Sequence, residues 1–400
     1  MKHKILIVSS SLDTGGAQKM ISNITTNLPK GWEADILLNS DKNIQFPYKG
    51  KIFSLDIPEP SSRTSILYQG RVLLKRLRVL RGLKRKNRYR ACISLLDSAN
   101  VANIVTGHKY CKVIVTAVIN MSESRHIKVY KYIVFPLVKL FYNHADRIIA
   151  QNTAIRDDLI RHFGLRKELF TIIYNGIDGK AIEKISQRPL EKDDATWFSR
   201  EKTIVTAGRL TYAKGQWHLI RAFTKVLEEV PDARLVIFGI GELEEYLNRL
   251  IREYGIEKSV YIKGFDAELD KYIANSAVFV LPSMLEGMPT ALLEAMACGT
   301  ASIVTDFKSG AREIMDFPAE SRIADIIRTE YGMITPICSG ELREAGEPLE
   351  KHEKMLAEAV IRILKDRNLR EECARGGKKR SRDFEMKKLV EQWIEVIEKP

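Results

Sequence analysis

Two cationic side chains flanked by glycine open the second half of the chain to chemistry, in Gly208-Arg209-Leu210-Thr211-Tyr212-Ala213-Lys214-Gly215. A planar guanidinium and an ammonium five residues apart neutralise a diphosphate, and glycines let backbone approach a ligand. The spacing is not that of a Walker loop: the glycines are misplaced and no Lys-Ser/Thr pair follows. A second string, Glu286-Gly287-Met288-Pro289-Thr290-Ala291-Leu292-Leu293-Glu294, runs on through Ala295 to Gly299. It reads as a loop, a proline near a helix start, a helix and a C-terminal glycine. Glu286 falls in the loop and Glu294 in the first turns, with backbone N–H groups between them. Two carboxylates can hold two vicinal diols, such as a ribose and a hexose, while the amides receive phosphate or hydroxyl oxygens. Glu294 by itself would equally suit the helix macrodipole. Asp13-Thr14-Gly15-Gly16-Ala17 reads as a turn before a helix starting near Gln18. It is either an anion-receiving backbone or no more than a tight turn.

The elements that must position these residues alternate between short apolar runs and longer amphipathic stretches, the pattern of parallel sheets covered by helices. Strands are expected at 5–8, 34–38, 91–95, 113–117 and 147–150, then at 203–206, 234–238, 259–262, 278–281 and 301–305. Each set has the size of one doubly wound domain. The cationic loop then follows a strand, at the sheet edge where open α/β sheets bind ligands. Four hundred residues also exceed what one core usually organises. We expect a first domain over 1–178, a polar linker over 179–202 and a second domain over 203–383. A final helix over 384–398, after a basic turn at 376–380, could pack back on the first domain.

Composition sets limits on function. An apolar content of 45% with 29% charged residues is that of an ordinary globular protein. Cys92, Cys111, Cys298, Cys338 and Cys373 are odd in number and lack any C-x-x-C pair, which fits neither a disulfide framework nor a zinc site. A reducing cytoplasm is the simplest compartment. The first apolar run stops after four residues, too short for a signal peptide, and no stretch is long enough to span a membrane. Residues 1–200 hold 34 Lys+Arg against 17 Asp+Glu, and residues 201–400 hold 30 against 34. The first half alone therefore asks for an anionic partner. Between 71 and 90, ten of twenty residues are basic and none acidic, with Leu73, Leu77 and Leu80 at helical spacing. That stretch is expected on an anionic membrane surface. The stretch 127–142 mixes Lys with Tyr and Phe and could also face a membrane, but it is expected to pack in the core with a solvated basic face. No aromatic platform accompanies the basic helix, so nucleic acid falls away as a partner.

The strings GRLTYAKG, EGMPTALLEAMACG and YNGID (174–178), with ADRIIAQN and DTGGAQ before them, resemble family 4 retaining glycosyltransferases of the GT-B fold. The likeness covers nearly the full chain in the expected order. It implies two Rossmann-like domains facing across a cleft, with Arg209 and Lys214 on the donor diphosphate. Glu294 would hold the ribose and Glu286 the donor sugar, where Gly287, Met288, Pro289 and Thr290 line the donor. The base would rest near Lys263–Asp266, with Lys263 and Phe265 beside it. Gly15 and Gly16 would face the phosphates from the first domain. Ile119 stands where many relatives carry a His, which leaves Asn120 as the polar neighbour on the acceptor side.

A narrower similarity, in TDFKSGAREI (305–314) and EYGMITP, is to bacterial enzymes that extend lipid-linked or cell-surface glycans. It implies a UDP-linked hexose or N-acetylhexosamine as donor and a peripheral site on the inner face of the cell membrane. No D-x-D string occurs, so no metal or other cofactor is expected. Other functions fit the same fold: a sugar-nucleotide epimerase, a phosphorylase, or a non-catalytic nucleotide-sugar-binding relative.

Overall fold

A computed structural model describes residues 3–13, 15–57, 66–307, 309–318, 321 and 323–399. Thr14 of the glycine turn and Lys308 of the TDFKSGAREI string lie outside the described residues. The chain divides into two compact units, Met1–Gly176 with Met386–Pro400, and Ile177–Glu385.

The first unit runs β1 (His3–Val8), α1 (Gly16–Asn27), β2 (Trp32–Leu38), β3 (Lys51–Ser54), α2 (Ile66–Asn87), β4 (Ala91–Leu95), α3 (Asp97–Val105) and β5 (Lys112–Ala117). It continues through α4 (Phe135–Phe141), β6 (Arg147–Ala150), α5 (Thr153–Phe163) and β7 (Phe170–Ile172). Its seven strands are parallel, in the order β3-β2-β1-β4-β5-β6-β7. Side-chain alternation divides β1 between two cores. Ile5 and Ile7 pack with Met20, Ile21 and Ile24 of α1, while Leu6 and Val8 face Leu80 of α2 and Ala99 of α3. The five expected strands form here. The two unexpected ones, β3 and β7, are short edge strands whose side chains are mostly half-buried, so no continuous apolar run marks them.

Helix α2 corrects one expectation. Leu80 is fully buried, and Leu73, Leu77 and Leu83 pack against the same core, so this leucine stripe is not available to a membrane. Two cations are buried with it. Arg76 donates to Ser98 Oγ (2.7 Å) and Asn39 Oδ1 (2.6 Å), and burial pulls its guanidinium down to about 10. Lys84 Nζ donates to the Asn103 carbonyl at 2.8 Å.

The second unit runs α6 (Gly179–Ser186), α7 (Lys192–Ala195), β8 (Thr203–Ala207), α8 (Gln216–Glu229), β9 (Arg234–Phe238), α9 (Glu244–Glu253), β10 (Val260–Gly264), α10 (Leu269–Ala274) and β11 (Val278–Leu281). There follow α11 (Thr290–Ala297), β12 (Ala301–Thr305), α12 (Gly310–Ile314), β13 (Ile327–Thr329), β14 (Gly332–Thr335), α13 (Lys351–Lys365) and α14 (Arg367–Ser381). The sheet order is β10-β9-β8-β11-β12-β14-β13, parallel except for the β13–β14 pair. The last helix, α15 (Met386–Glu398), packs against α1 in the first unit through Leu389, Val390 and Trp393.

Two further expectations are corrected. The stretch 179–202 is no free linker but part of the second unit. Asp178 caps α6 by accepting from the Ala181 amide (3.0 Å), Ile182 is buried, and buried Asp194 receives Lys263 and Tyr272. Its polar residues are caps and ion-pair partners, which composition alone cannot separate from solvated loop. The glycines of 376–380 do not make a turn either, but lie within α14. A Cβ on Gly376 would come 1.9 Å from the Glu330 carbonyl oxygen, so the pair serves close packing of the helix.

Candidate functional site

The second sheet reverses its strand order between β8 and β11, and open α/β sheets bind ligands outside the carboxyl ends of strands at such a point. Both motif strings sit there. Residues 208–215 follow β8, and residues 282–289 follow β11 and lead into α11. The two loops are fastened together, because the amides of Met284 and Leu285 both donate to the Ala213 carbonyl, at 2.9 and 3.1 Å. Gly215 closes the first loop in the left-handed region (φ 63°). A Cβ there would stand 2.3 Å from the Pro282 carbonyl oxygen.

Lys214 and Glu286 form an ion pair across these loops, both largely shielded from solvent. Ser283 Oγ adds a hydrogen bond to the same Glu286 oxygen at 3.0 Å. The lysine stem lies over Gly208 (φ 155°), where a Cβ would meet Lys214 Cδ and Cε at 3.1 Å. Arg209 is exposed, and no hydrogen bond or ion pair of its guanidinium occurs among the described residues. Gln216 holds the loop from below, its Nε2 donating to the Arg209 carbonyl at 3.0 Å. One cation is thus fixed by a carboxylate while the other is held out on a stiffened loop.

Beyond Glu286 the backbone is pinned through the Gly287 carbonyl, which accepts from Ser309 Oγ (2.7 Å) and the Gly310 amide (3.0 Å). Met288 and Pro289 are buried, and α11 begins at Thr290 with no side chain capping its first amides. Glu294 lies one turn into α11 and is buried. Lys263 Nζ is committed to both oxygens of Asp194, at 2.8 and 2.9 Å, so its charge serves that pair. Phe265 is exposed on the loop after β10.

The first unit carries the remaining candidates. Gly15 (φ 137°) precedes α1, and the Gly16 carbonyl accepts from Asn175 Nδ2 at 3.2 Å. Asn120 is buried, its Oδ1 without a partner among the described residues. The side chain of His126 lies outside the described residues.

A model of Glycosyltransferase Family 4 matches residues 14–180, and one of Glycosyl transferases group 1 matches residues 187–316. An uncharacterized glycosyltransferase of Methanocaldococcus jannaschii is 35% identical over 286 residues, covering 70% of each chain. The chain belongs to glycosyltransferase family 4. This glycosyltransferase is also 27% identical, over 98% of its length and 99% of the relative's, to a Campylobacter jejuni enzyme. That relative is named N-acetylgalactosamine-N,N'-diacetylbacillosaminyl-diphospho-undecaprenol 4-alpha-N-acetylgalactosaminyltransferase. Among solved structures, Anabaena HepE in complex with UDP-glucose matches with a TM-score of 0.74 and 19% identity, over 98% of this chain and 99% of that one. The fold is GT-B.

Several residues beside the candidate loops of each unit carry no motif of their own. Asp306 and Arg312 form a buried bidentate pair at 2.6 Å for each bond, which fixes α12 and so the Ser309–Gly310 clamp on Gly287. Their string stood out only as a family likeness, with no role attached. In the first unit, Tyr142 OH donates to Asp97 Oδ1 at 3.1 Å, and burial raises that carboxyl above its ordinary range. Asp97 sits just past β4, beside the strand-order reversal of its own sheet.

One cysteine is better placed for a metal than its spacing in the sequence suggested. Cys338 lies with His218 and Glu350, their ligand atoms within 4.8 Å of one another. The histidine and the carboxylate are already occupied. His218 Nδ1 lies 2.8 Å from Glu353 Oε1, its Nε2 accepts from the Gly340 amide, and Glu350 accepts from the Ser339 amide. These bonds fasten the start of α13 to α8.

Proposed function

We propose that this glycosyltransferase moves a hexose or N-acetylhexosamine from a UDP-linked donor to a lipid-linked or cell-surface glycan, with retention of anomeric configuration. The observation that carries the donor half is that the loops bearing Arg209, Lys214 and Glu286 are fastened to each other at one strand-order reversal, where the helix bearing Glu294 begins. In this reading Arg209 and Lys214 receive the diphosphate, because that is where negative charge grows as the sugar departs. The uncapped amides at the start of α11 add to the same field. Glu294 takes the ribose hydroxyls, and Glu286, held by Lys214 and Ser283, faces the donor sugar. Gly287, Met288, Pro289 and Thr290 line the donor between them. Phe265 and the backbone about Lys263 support the base.

Retention follows if the acceptor hydroxyl attacks the anomeric carbon on the face that the diphosphate leaves. The bond from the anomeric carbon to the phosphate oxygen breaks with its electron pair on the phosphate, and the new glycosidic bond forms. The acceptor proton passes to a departing phosphate oxygen. No metal takes part, since cationic side chains and helix amides occupy that electrostatic role. Gly15, Gly16 and Asn120 would serve the acceptor or phosphate side. A diphospho-undecaprenol-linked acceptor is supported by the name of the Campylobacter relative. The test is incubation of UDP-sugars with undecaprenyl-diphosphate glycans, followed by NMR of the anomeric proton. We expect UDP release that requires acceptor and an α-linked product from an α-linked donor. A β-linked product, or release unaffected by acceptor, would overturn the reading.

A further inference from the structure

Five of the twelve large apolar side chains exposed among the described residues crowd into positions 127–140: Ile127, Val129, Tyr132, Ile133 and Leu140. Tyr132 is 67% exposed and Leu140 62%, so these are outward-pointing side chains rather than edges of the core. The segment is a π-helical turn, Tyr130–Val134, running directly into α4. Its inner face is apolar too. Val138 is fully buried, and Tyr130, Val134, Phe135, Leu137 and Phe141 pack on the core with Val113, Val115 and Ile148. An element that leaves large apolar side chains outside as well as inside asks for a second apolar neighbour on its outer face.

The polar residues say what the other neighbour is. Lys128, Lys131 and Lys139 are exposed between the apolar side chains, and no Asp or Glu occurs from 124 to 145. Lys131 Nζ lies 5.3 Å from the centroid of the Tyr132 ring, an amphipathic pairing suited to a headgroup layer. Helix α3 packs against both α4 and α2, so the outward cations of α2 share this helical layer of the first unit: Arg71, Lys75, Arg78, Arg81, Arg85 and Lys86. Basic charge beside exposed apolar side chains fits an anionic bilayer surface.

We propose that residues 127–140 insert shallowly into an anionic membrane leaflet while the outward face of α2 adds electrostatic attraction. This goes beyond the transfer reaction and holds whatever sugar is moved. The test uses the full chain, sedimented with vesicles of phosphatidylcholine containing about one third phosphatidylglycerol. Salt screens the attraction of α2 but not apolar insertion, so part of the wild-type protein should stay bound at ~0.5 M NaCl. Tyr132→Ser/Ile133→Ser/Leu140→Ser should lower partitioning at least ~10-fold and remove the salt-resistant fraction. Leu74→Ser, an equally exposed leucine on α2, should change it less than ~2-fold. Circular dichroism and thermal melting of each variant keep folding separate from binding. Failure of the wild type to bind, or triple-variant binding equal to wild type, would overturn the proposal. So would a wild-type dimer that the triple substitution breaks without any effect on vesicles, since a second copy would then cover the patch.

Discussion

Arg209 and Lys214 differ in what holds them, and that difference predicts how each fails. Lys214 is paired with Glu286, whereas Arg209 stands on its loop with its guanidinium turned to solvent. Replacing either by Ala should lower turnover at least ~100-fold, the usual cost of losing a donor aimed at developing charge. In Lys214→Ala the Glu286 carboxylate also loses its partner, so donor affinity should fall further than in Arg209→Ala. Steady-state kinetics of both variants check this, and near-normal turnover in both would remove the diphosphate assignment. The two carboxylates separate by calorimetry. Glu294→Gln should weaken UDP and UDP-sugar alike, while Glu286→Gln should leave UDP affinity within ~3-fold and lower kcat. These four residues were singled out by type and spacing, and the fold brings their loops to one sheet edge. The pairing of Lys263 with Asp194 was not foreseen, since Asp194 lies 69 positions away in a stretch that reads as linker.

Elements position the site by packing so tightly that glycine is the only residue some contacts admit. A Cβ on Gly310 would fall 2.6 Å from Met288 Sδ and 2.8 Å from the Gly287 oxygen. Gly310→Ala should therefore push the loop out of place and lower kcat/KM by ~10–100-fold, a range set by the sensitivity of catalysis to small displacements. Gly346→Ala, with open space at its Cβ, serves as the matched control and should change neither rate nor melting temperature. The central strands were readable because burial on both faces makes continuous apolar runs. Edge strands β3, β7 and β13 were not, for they are three or four residues long and mostly half-buried, and neither was the short buried strand β14 beside β13. The helical layer of the first unit was read only in part. Leucine spacing in α2 looks the same whether it faces core or lipid, and only packing shows that α2 spends it inward while 127–140 leaves apolar side chains outside.

At the scale of the whole molecule, charge is unevenly divided. The basic excess lies in residues 1–200, and among the described residues no helix is long and apolar enough to cross a membrane. The anion-receiving groups proposed for the donor sit in the second unit, and residues 201–400 hold 30 Lys+Arg against 34 Asp+Glu. If those groups stand in for a metal, transfer should persist in excess EDTA. Loss of activity restored by Mn²⁺ or Mg²⁺ would return that role to an ion. Membership of family 4 and the two-sheet architecture could be read from ordered motifs, while donor sugar and linkage depend on pocket shape that no string encodes. The central claim is that the loops after β8 and β11 bind the diphosphate of a nucleotide sugar. Calorimetric titration of UDP into the wild type and into Arg209→Ala/Lys214→Ala tests it without any acceptor. Each charge-assisted bond contributes about 1.5–3 kcal/mol, so the double variant should bind UDP at least ~100-fold more weakly than the wild type. Equal affinity in the two proteins would contradict the account.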